Sequence, residues 1–120
     1  MRFRLTPAKL PRLTEKQVIA ACLDVLALRG YWSARLHAGT FKSADDRRWV
    51  KGVAKGTPDY ACIHGEHPGF LLELKRPGAK VSPEQTRKHF EIRLGFRLAI
   101  AVVDSVEALG VWLDQHEGRG

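Results

Sequence analysis

The spacing of apolar side chains divides most of the chain into helices and strands. After Thr14, apolar residues recur at intervals of three and four, which predicts an amphipathic helix that ends at Gly30. Thr14 and Gln17 have the spacing of a capping box at the start of this helix. Residues 31–37 alternate between apolar and polar side chains, which is typical of a half-buried strand. The pattern then dissolves, and we interpret residues 38–56 as a long loop.

The second half of the chain begins with a predicted hairpin, in which short apolar runs at 60–64 and 70–75 form antiparallel strands. The later elements are a helix capped by Ser82 and Gln85 and ended by Gly95, a buried strand at 98–103, and a last helix capped by Asp104. The resulting order is α-β-β-β-α-β-α. It predicts an α/β fold in which a mixed central sheet of about four strands is flanked by helices on both faces.

The charge of the chain indicates which partners it binds, and its length indicates how many domains it forms. Lys and Arg total 20 against 13 Asp and Glu among 120 residues, which gives a net charge of +7. This balance favours polyanions, with nucleic acid first and anionic membranes second, although a merely basic globular protein would show it too. We divide the chain into a basic N-terminal arm at 1–13, one folded domain at 14–116 and a flexible tail at 117–120.

Cysteine usage and the N-terminus indicate an intracellular protein. Cys22 and Cys62 stand among apolar residues without metal-ligand spacing, so we expect buried free thiols in a reducing compartment. Residues 1–9 lack the apolar core of a signal peptide, and no apolar run is long enough to span a membrane. We therefore expect no membrane association and a location in the cytoplasm of a bacterial cell or phage-infected host.

The candidate chemistry lies in the predicted hairpin. Glu73 and Lys75 are two positions apart on one strand, so they project from the same face, and Asp59 opens the partner strand. Two carboxylates with a backbone carbonyl and waters make a hard site for Mg²⁺ or Mn²⁺. Such a metal polarises a phosphodiester and lowers the pKa of a bound water, while a neighbouring lysine balances developing negative charge. This arrangement favours metal-dependent phosphodiester hydrolysis.

The same residues have plainer interpretations. Glu and Lys that alternate on a strand often form a solvated face with a cross-strand ion pair. A second class of function is a non-catalytic DNA-binding module that retains a nuclease fold. A cleavage assay with divalent metal separates these alternatives from catalysis.

Residues 58–59 and 73–75, Pro-Asp and Glu-Leu-Lys, resemble the signature of the PD-(D/E)xK nucleases. More narrowly, the chain resembles the VRR-NUC (virus-type replication-repair nuclease) family, in a stand-alone form of the phage or bacterial type. The matching positions are Glu15, residues 35–39, residues 56–59, residues 73–75 and Gln85. The resemblance covers roughly residues 14–105 and implies a restriction-endonuclease-like fold.

The resemblance also implies roles for individual residues. Asp59 and Glu73 would be metal ligands with the Leu74 carbonyl, Lys75 the catalytic lysine, and Glu15 and Gln85 supporting active-site residues. Glu15 is equally well placed to interact with a helix N-terminus, and Gln85 to serve the capping box. The family usually has Asn-Ser before the glycine at residue 39, where this chain has His-Ala, so a contact from that turn is open.

The expected function is an endonuclease for structured or branched DNA in replication, repair or recombination, with resolution of four-way junctions as one candidate task. Phosphate contacts are expected from basic side chains around the long loop, namely Arg35, His37, Lys42, Arg47, Arg48, Lys51 and Lys55. Cutting both strands of a junction needs two active centres, so we expect a homodimer. Trp112 is either an anchor of that interface or a residue packed against the sheet.

Overall fold

The computed structural model of the protein describes residues 13–37, 40–42 and 49–118, which form three helices and six strands. In chain order these are α1 (Glu15–Leu28), β1 (Trp32–Arg35), β2 (Thr40–Lys42), β3 (Trp49–Lys51), β4 (Tyr60–Ile63), β5 (Phe70–Leu74), α2 (Pro83–Phe96), β6 (Ala99–Val103) and α3 (Val106–His116). Residues 1–12 of the predicted arm, and the predicted phosphate contacts Arg47 and Arg48, lie outside the described residues.

A four-stranded mixed sheet with the order β1-β4-β5-β6 forms the centre of the fold. β1, β4 and β5 pair antiparallel, and β4 and β5 form the predicted hairpin with Tyr60 opposite Leu72. β6 runs parallel to β5 because α2 carries the chain back between them. The predicted α/β class, with a mixed sheet of four strands flanked by helices, is confirmed.

The hydrophobic core lies between one face of this sheet and helices α1 and α3. Its fully buried members include Cys22 and Leu26 of α1, Phe70 and Leu72 of β5, and Leu109 and Leu113 of α3. Burial of each large side chain stabilises the fold by about 1.5–3 kcal/mol. Successive residues of a strand point to opposite faces, so Glu73 points away from this core and towards α2.

Both cysteines are buried free thiols, as the sequence predicts. Burial raises the pKa of Cys62 to about 11, against a smaller opposing effect of a hydrogen bond from Ser33. Burial also raises the pKa of Cys22, to which the charge of Glu107 adds. The two side chains therefore stay protonated near neutral pH and act as small apolar core residues.

The helix boundaries confirm the predicted N-terminal caps of α1 and α2 and correct two others. Both capping boxes are complete, at Thr14 for α1 and at Ser82 for α2. Gly95 does not end α2, which continues until Arg97 adopts left-handed backbone geometry with φ 52°. The N-cap of α3 is Ser105 rather than Asp104, because the Ser105 hydroxyl accepts a hydrogen bond from the Ala108 amide.

The interpretation of residues 38–56 as a loop without secondary structure was wrong. β2 and β3 pair antiparallel within this stretch, with Phe41 opposite Val50. Phe, Trp, Val and Thr at these positions favour strands, but each run is only three residues long. Runs so short, set among charged residues, do not show a clear two-residue period in the sequence.

Two predicted strands differ from expectation in length and burial. β1 ends at Arg35, although its pairing with β4 goes one residue further, since the amide of Leu36 donates to the carbonyl oxygen of Asp59 opposite it. Trp32 at its start is exposed rather than packed. β6 is buried on both faces at Ile100 and Ala101 but not at Val102, since β6 is an edge strand that α2 covers only in part.

The C-terminal end of the fold extends past the predicted domain boundary. Glu117, assigned from the sequence to a flexible tail, has a side chain only 1% exposed. Its carboxylate accepts hydrogen bonds from Arg29 and from the Tyr31 hydroxyl, both at 2.9 Å. These bonds connect the end of α1 to the end of α3, so residue 117 belongs to the folded domain.

Trp112 of α3 packs inside the molecule. Its ring lies 4.5 Å from the ring of Phe70 in β5 and stacks on His116. Of the two roles predicted for Trp112, the structure of the single chain shows packing against the sheet. The neighbouring residue Val111 is exposed. Among the helices of the described residues, none is both long enough and apolar enough to span a membrane.

Candidate active site

The hairpin topology brings the predicted catalytic residues to one cleft of about 200 Å³. Asp59 directly precedes β4, Glu73 lies near the end of β5, and Lys75 follows that strand. Because β4 starts where the antiparallel β5 ends, these side chains meet at the same end of the sheet. The cleft is lined by Glu15, Ile19, Arg35, Asp59, Tyr60, Glu73, Leu74, Lys75 and Gln85.

The segment before Asp59 is held tightly against α2. Gly56 has φ +88°, and a Cβ at this position would lie 2.8 Å from the backbone oxygen of Glu84. Only glycine adopts this geometry without strain. The Thr57 hydroxyl donates to the Ala54 carbonyl oxygen at 2.6 Å, and Pro58 is fully buried. The Gly-Thr-Pro sequence thus fixes where the next residue enters the cleft.

Asp59 is tied to both neighbouring strands. Its Oδ2 accepts a hydrogen bond from the Leu74 amide at 3.0 Å, and its carbonyl oxygen accepts one from the Leu36 amide at 2.7 Å. The Asp59 carboxylate is therefore held beside the Glu73-Leu74-Lys75 segment, as the sequence predicts.

Glu73 is a carboxyl group buried next to another carboxyl group. It is 2% exposed, and burial, followed by the hydrogen bond and the charge of Asp59, raises its pKa to about 8, while Lys75 opposes the shift. Like charges that share a buried site disfavour joint ionisation, so without a cation the pair tends to retain a proton. Strongly shifted carboxyls of this kind are concentrated in functional sites.

Gln85 joins the cleft to the start of α2. Its Nε2 donates to Glu73 Oε1 at 2.9 Å, while its Oε1 accepts from Lys75 Nζ at 2.6 Å. The same Oε1 accepts the Ser82 amide at 3.0 Å and so completes the capping box. The capping role expected for Gln85 is thus observed, and the same side chain also contacts Glu73 and Lys75 in the cleft.

Lys75 is held in place from two directions. Its backbone amide donates to the Val103 carbonyl oxygen at 2.9 Å, which continues the pairing of β5 with β6. Its ammonium is bound by Gln85 rather than by a carboxylate. The positive charge therefore remains in the cleft without a direct ion pair to Glu73.

Glu15 lies on the cleft wall as the first residue of α1. Its carboxylate is 64% exposed and lies 3.8 Å from Arg76 Nε. This position fits the expected interaction with the helix N-terminus and also places a third carboxylate at the cleft.

The donor set suits a hard divalent cation. The described residues contain no cluster of three or more His, Cys, Asp or Glu side chains with metal-binding geometry. Mg²⁺ does not need one, since it is commonly held by one or two carboxylates, with waters and substrate phosphate completing its shell. Asp59 and Glu73 with the Leu74 carbonyl provide that smaller set, and both side chains line the cleft.

The predicted phosphate contacts are distributed unevenly around the cleft. Arg35 is on the cleft wall, and Lys55 lies near its α2 side, exposed and 3.4 Å from Glu84. His37 is exposed on the segment that runs beside Asp59. Lys42 and Lys51 are the last residues of β2 and β3, which pair antiparallel with each other.

Sequence reasoning missed one residue next to the cleft. His89 of α2 is 3% exposed, and its Nε2 lies 3.7 Å from Glu73 Oε1. The signal was its spacing: His89 follows Gln85 by four positions, so both side chains leave the same face of the helix.

No protein-family model matches this chain, and no curated protein matches it.

Proposed function

We propose that this protein is a divalent-metal-dependent DNA endonuclease. The observation that carries the proposal is the convergence of Asp59, Glu73 and Lys75 in one cleft, with the amide of Gln85 joining the carboxylate to the ammonium. Two carboxylates that meet at a buried position are relieved either by a proton or by a cation, and a lysine beside them suits a reaction in which negative charge grows on a phosphate.

Asp59 and Glu73 would hold Mg²⁺ or Mn²⁺, and the Leu74 carbonyl would be a further ligand. When bound, the cation polarises the phosphodiester and makes water a better nucleophile at neutral pH. The chain supplies the positions: the Leu74 amide fixes Asp59, and Gln85 fixes Glu73. Fixed ligands of this kind reduce the reorganisation that the reaction requires.

Lys75 would stabilise the charge that develops on the phosphate. Gln85 holds its ammonium at 2.6 Å, so the charge stays near the two carboxylates without being paired to either. Removing one such preorganised donor from an enzyme typically slows the reaction by about 10²–10³-fold.

The substrate class follows from charge and from the lack of a base-reading motif in the sequence. A net charge of +7 favours the phosphate backbone, and Arg35 and Lys55 extend positive charge from the cleft. The protein would therefore recognise the shape of structured or branched DNA, including four-way junctions, in replication, repair or recombination. It would act as a homodimer in the cytoplasm.

Cleavage assays with isosteric variants test the proposal. Single-stranded, duplex, flap and four-way-junction DNAs are incubated with Mg²⁺ or Mn²⁺. Asp59→Asn and Glu73→Gln keep side-chain size and should abolish cleavage while DNA binding is largely retained. Lys75→Ala should bind metal yet cleave about 10²–10³-fold more slowly.

Two matched controls belong to the same experiment. Glu66→Gln and Lys80→Ala change exposed charges that do not line the cleft, so both variants should cleave normally. Full activity of purified Asp59→Asn would refute the catalytic assignment. A wild-type protein that binds DNA but cuts none of the substrates would instead support the non-catalytic DNA-binding alternative.

A further inference from the structure

His89 is a buried polar side chain whose outer nitrogen is left without a partner. It is 3% exposed, and no described atom forms a hydrogen bond with its Nε2. The nearest carboxylate oxygen is Glu73 Oε1, which lies 3.7 Å from this nitrogen. The distance is too long for a hydrogen bond. A buried polar atom without a partner usually marks a functional constraint or a group that completes its bonding in another state.

Helix geometry places His89 directly behind Gln85. The two residues are four positions apart on α2, so their side chains lie on one face of the helix, one turn from each other. Both approach the same atom, Glu73 Oε1, with Gln85 Nε2 at 2.9 Å and His89 Nε2 at 3.7 Å. One face of α2 thus presents two side-chain nitrogens to one carboxylate oxygen.

An imidazole can carry a proton on Nε2, so His89 has an N–H that can serve as a donor to this oxygen.

The position is costly for a histidine that serves packing alone. A buried nitrogen without a hydrogen bond destabilises the fold, and a leucine of similar size would avoid this loss. His89 lies in direct reach of a carboxylate proposed as a metal ligand, where a second donor has a use. The presence of a histidine at this position is therefore better explained by its place beside Glu73 than by packing in the core.

We propose that His89 is a positioning residue for Glu73, donating its Nε2–H to Oε1 when that carboxylate holds the divalent cation. The inference rests on the proposed nuclease function and adds a residue to it. The hydrogen bond requires only a small side-chain shift, since the distance between His89 Nε2 and Glu73 Oε1 must shorten from 3.7 Å to about 2.9 Å. Gln85 and His89 would then fix the carboxylate together, and such supporting bonds typically raise metal affinity or activity by about 10–100-fold.

Two substitutions separate positioning from packing. His89→Leu fills the space without a donor, whereas His89→Gln places an amide Nε2 donor in a comparable position. We expect His89→Leu to weaken Mn²⁺ binding to the DNA-free protein by about 10–100-fold in calorimetry. Its kcat should fall while its KM for DNA stays unchanged, and its thermal stability should equal or exceed that of the wild type. His89→Gln should restore most of the affinity, and Phe90→Leu, on the exposed side of α2, should behave as the wild type.

A spectroscopic measurement on the wild type gives an answer even if a variant fails to fold. Long-range ¹H–¹⁵N NMR reports which imidazole nitrogen of His89 carries the proton. We expect the Nε2–H tautomer, with a shift of its resonance when Mg²⁺ is added. An unprotonated Nε2 in the Mg²⁺-loaded protein, or wild-type Mn²⁺ affinity and kcat in His89→Leu, would overturn the role of His89 alone. Failure of the wild type to bind either metal would overturn the proposed function as well.

Discussion

At the scale of single residues, one side chain contributes both to the fold and to the proposed site. The side-chain oxygen of Gln85 completes the cap of α2 and also accepts from Lys75, while its nitrogen donates to Glu73. A residue with both tasks couples helix stability to the geometry of the site. Variants can separate the two contributions, because Ser82 takes part only in the cap.

We predict that Gln85→Ala and Ser82→Ala destabilise the protein similarly but differ in activity. Loss of the Ser82 hydroxyl should cost about 0.5–2 kcal/mol of unfolding free energy, as N-cap substitutions to Ala do. Gln85→Ala removes the reciprocal half of the box and should cost a comparable amount. Only Gln85→Ala releases Lys75 and Glu73, so its kcat should fall by about 10–100-fold. Urea unfolding and cleavage rates measure the two effects, and equal activity of the two variants would contradict the bridging role.

At the scale of elements, the site is built where a loop packs against the start of a helix. Gly56 lies against the backbone of Glu84 in the first turn of α2 and leads directly to Asp59. The same turn carries Gln85 into the cleft. Displacing the loop from the helix would therefore separate the two carboxylates from their supporting residues.

We predict opposite effects of adding a methyl group at two glycines next to or within α2. Gly56→Ala is strained at φ +88° and would bring Cβ to 2.8 Å from a backbone oxygen, so it should destabilise the fold by about 1–3 kcal/mol and reduce cleavage. Gly95→Ala meets no atom within 4 Å inside the helix and should stabilise it by about 0.5–1 kcal/mol with normal activity. Thermal unfolding tests both signs. A Gly56→Ala protein of wild-type stability and rate would show that this packing is not needed.

At the scale of the whole molecule, the two ends of the sheet carry different groups of side chains. One end holds the cleft, and the other is closed by a buried ionic cluster in which Glu117 binds Arg29 and Tyr31. The Glu117 side chain is 1% exposed, whereas Arg29 is partly exposed and also pairs with Asp114 at 2.6 Å. The last helix is thus anchored to the first at a distance from the chemistry.

We predict that two such molecules associate, since one cleft of the proposed nuclease would cut only one strand at a time. A two-fold dimer would hold two clefts in a fixed relation on branched DNA. Light scattering at micromolar concentration should give a mass near 27 kDa, twice the 13.5 kDa of one chain. Because Trp112 packs against Phe70 in its own chain, we do not expect Trp112→Ala to act only on the dimer. A monomer that still cuts both strands of a junction in concert would contradict the prediction.

The sequence by itself determined the helices, the strands of the central sheet and the charged residues that meet in the cleft. Local features suffice for this: a capping box spans four residues, a hairpin joins neighbouring strands, and Glu73 and Lys75 share a face through the two-residue period of a strand. The β2–β3 hairpin was not predicted, because its strands are only three residues long and too short to show a two-residue alternation in the sequence.

Only the tertiary structure decided which of these side chains are buried and what they contact. The bridging by Gln85, the approach of His89 to Glu73 and the burial of Glu117 against Arg29 each join residues from different elements. Arg29 and Glu117 are 88 positions apart, and nothing in either local sequence specifies the other. Burial and pKa depend on all groups that surround a side chain in space, so they are fixed by the packing of the whole domain rather than by any single segment.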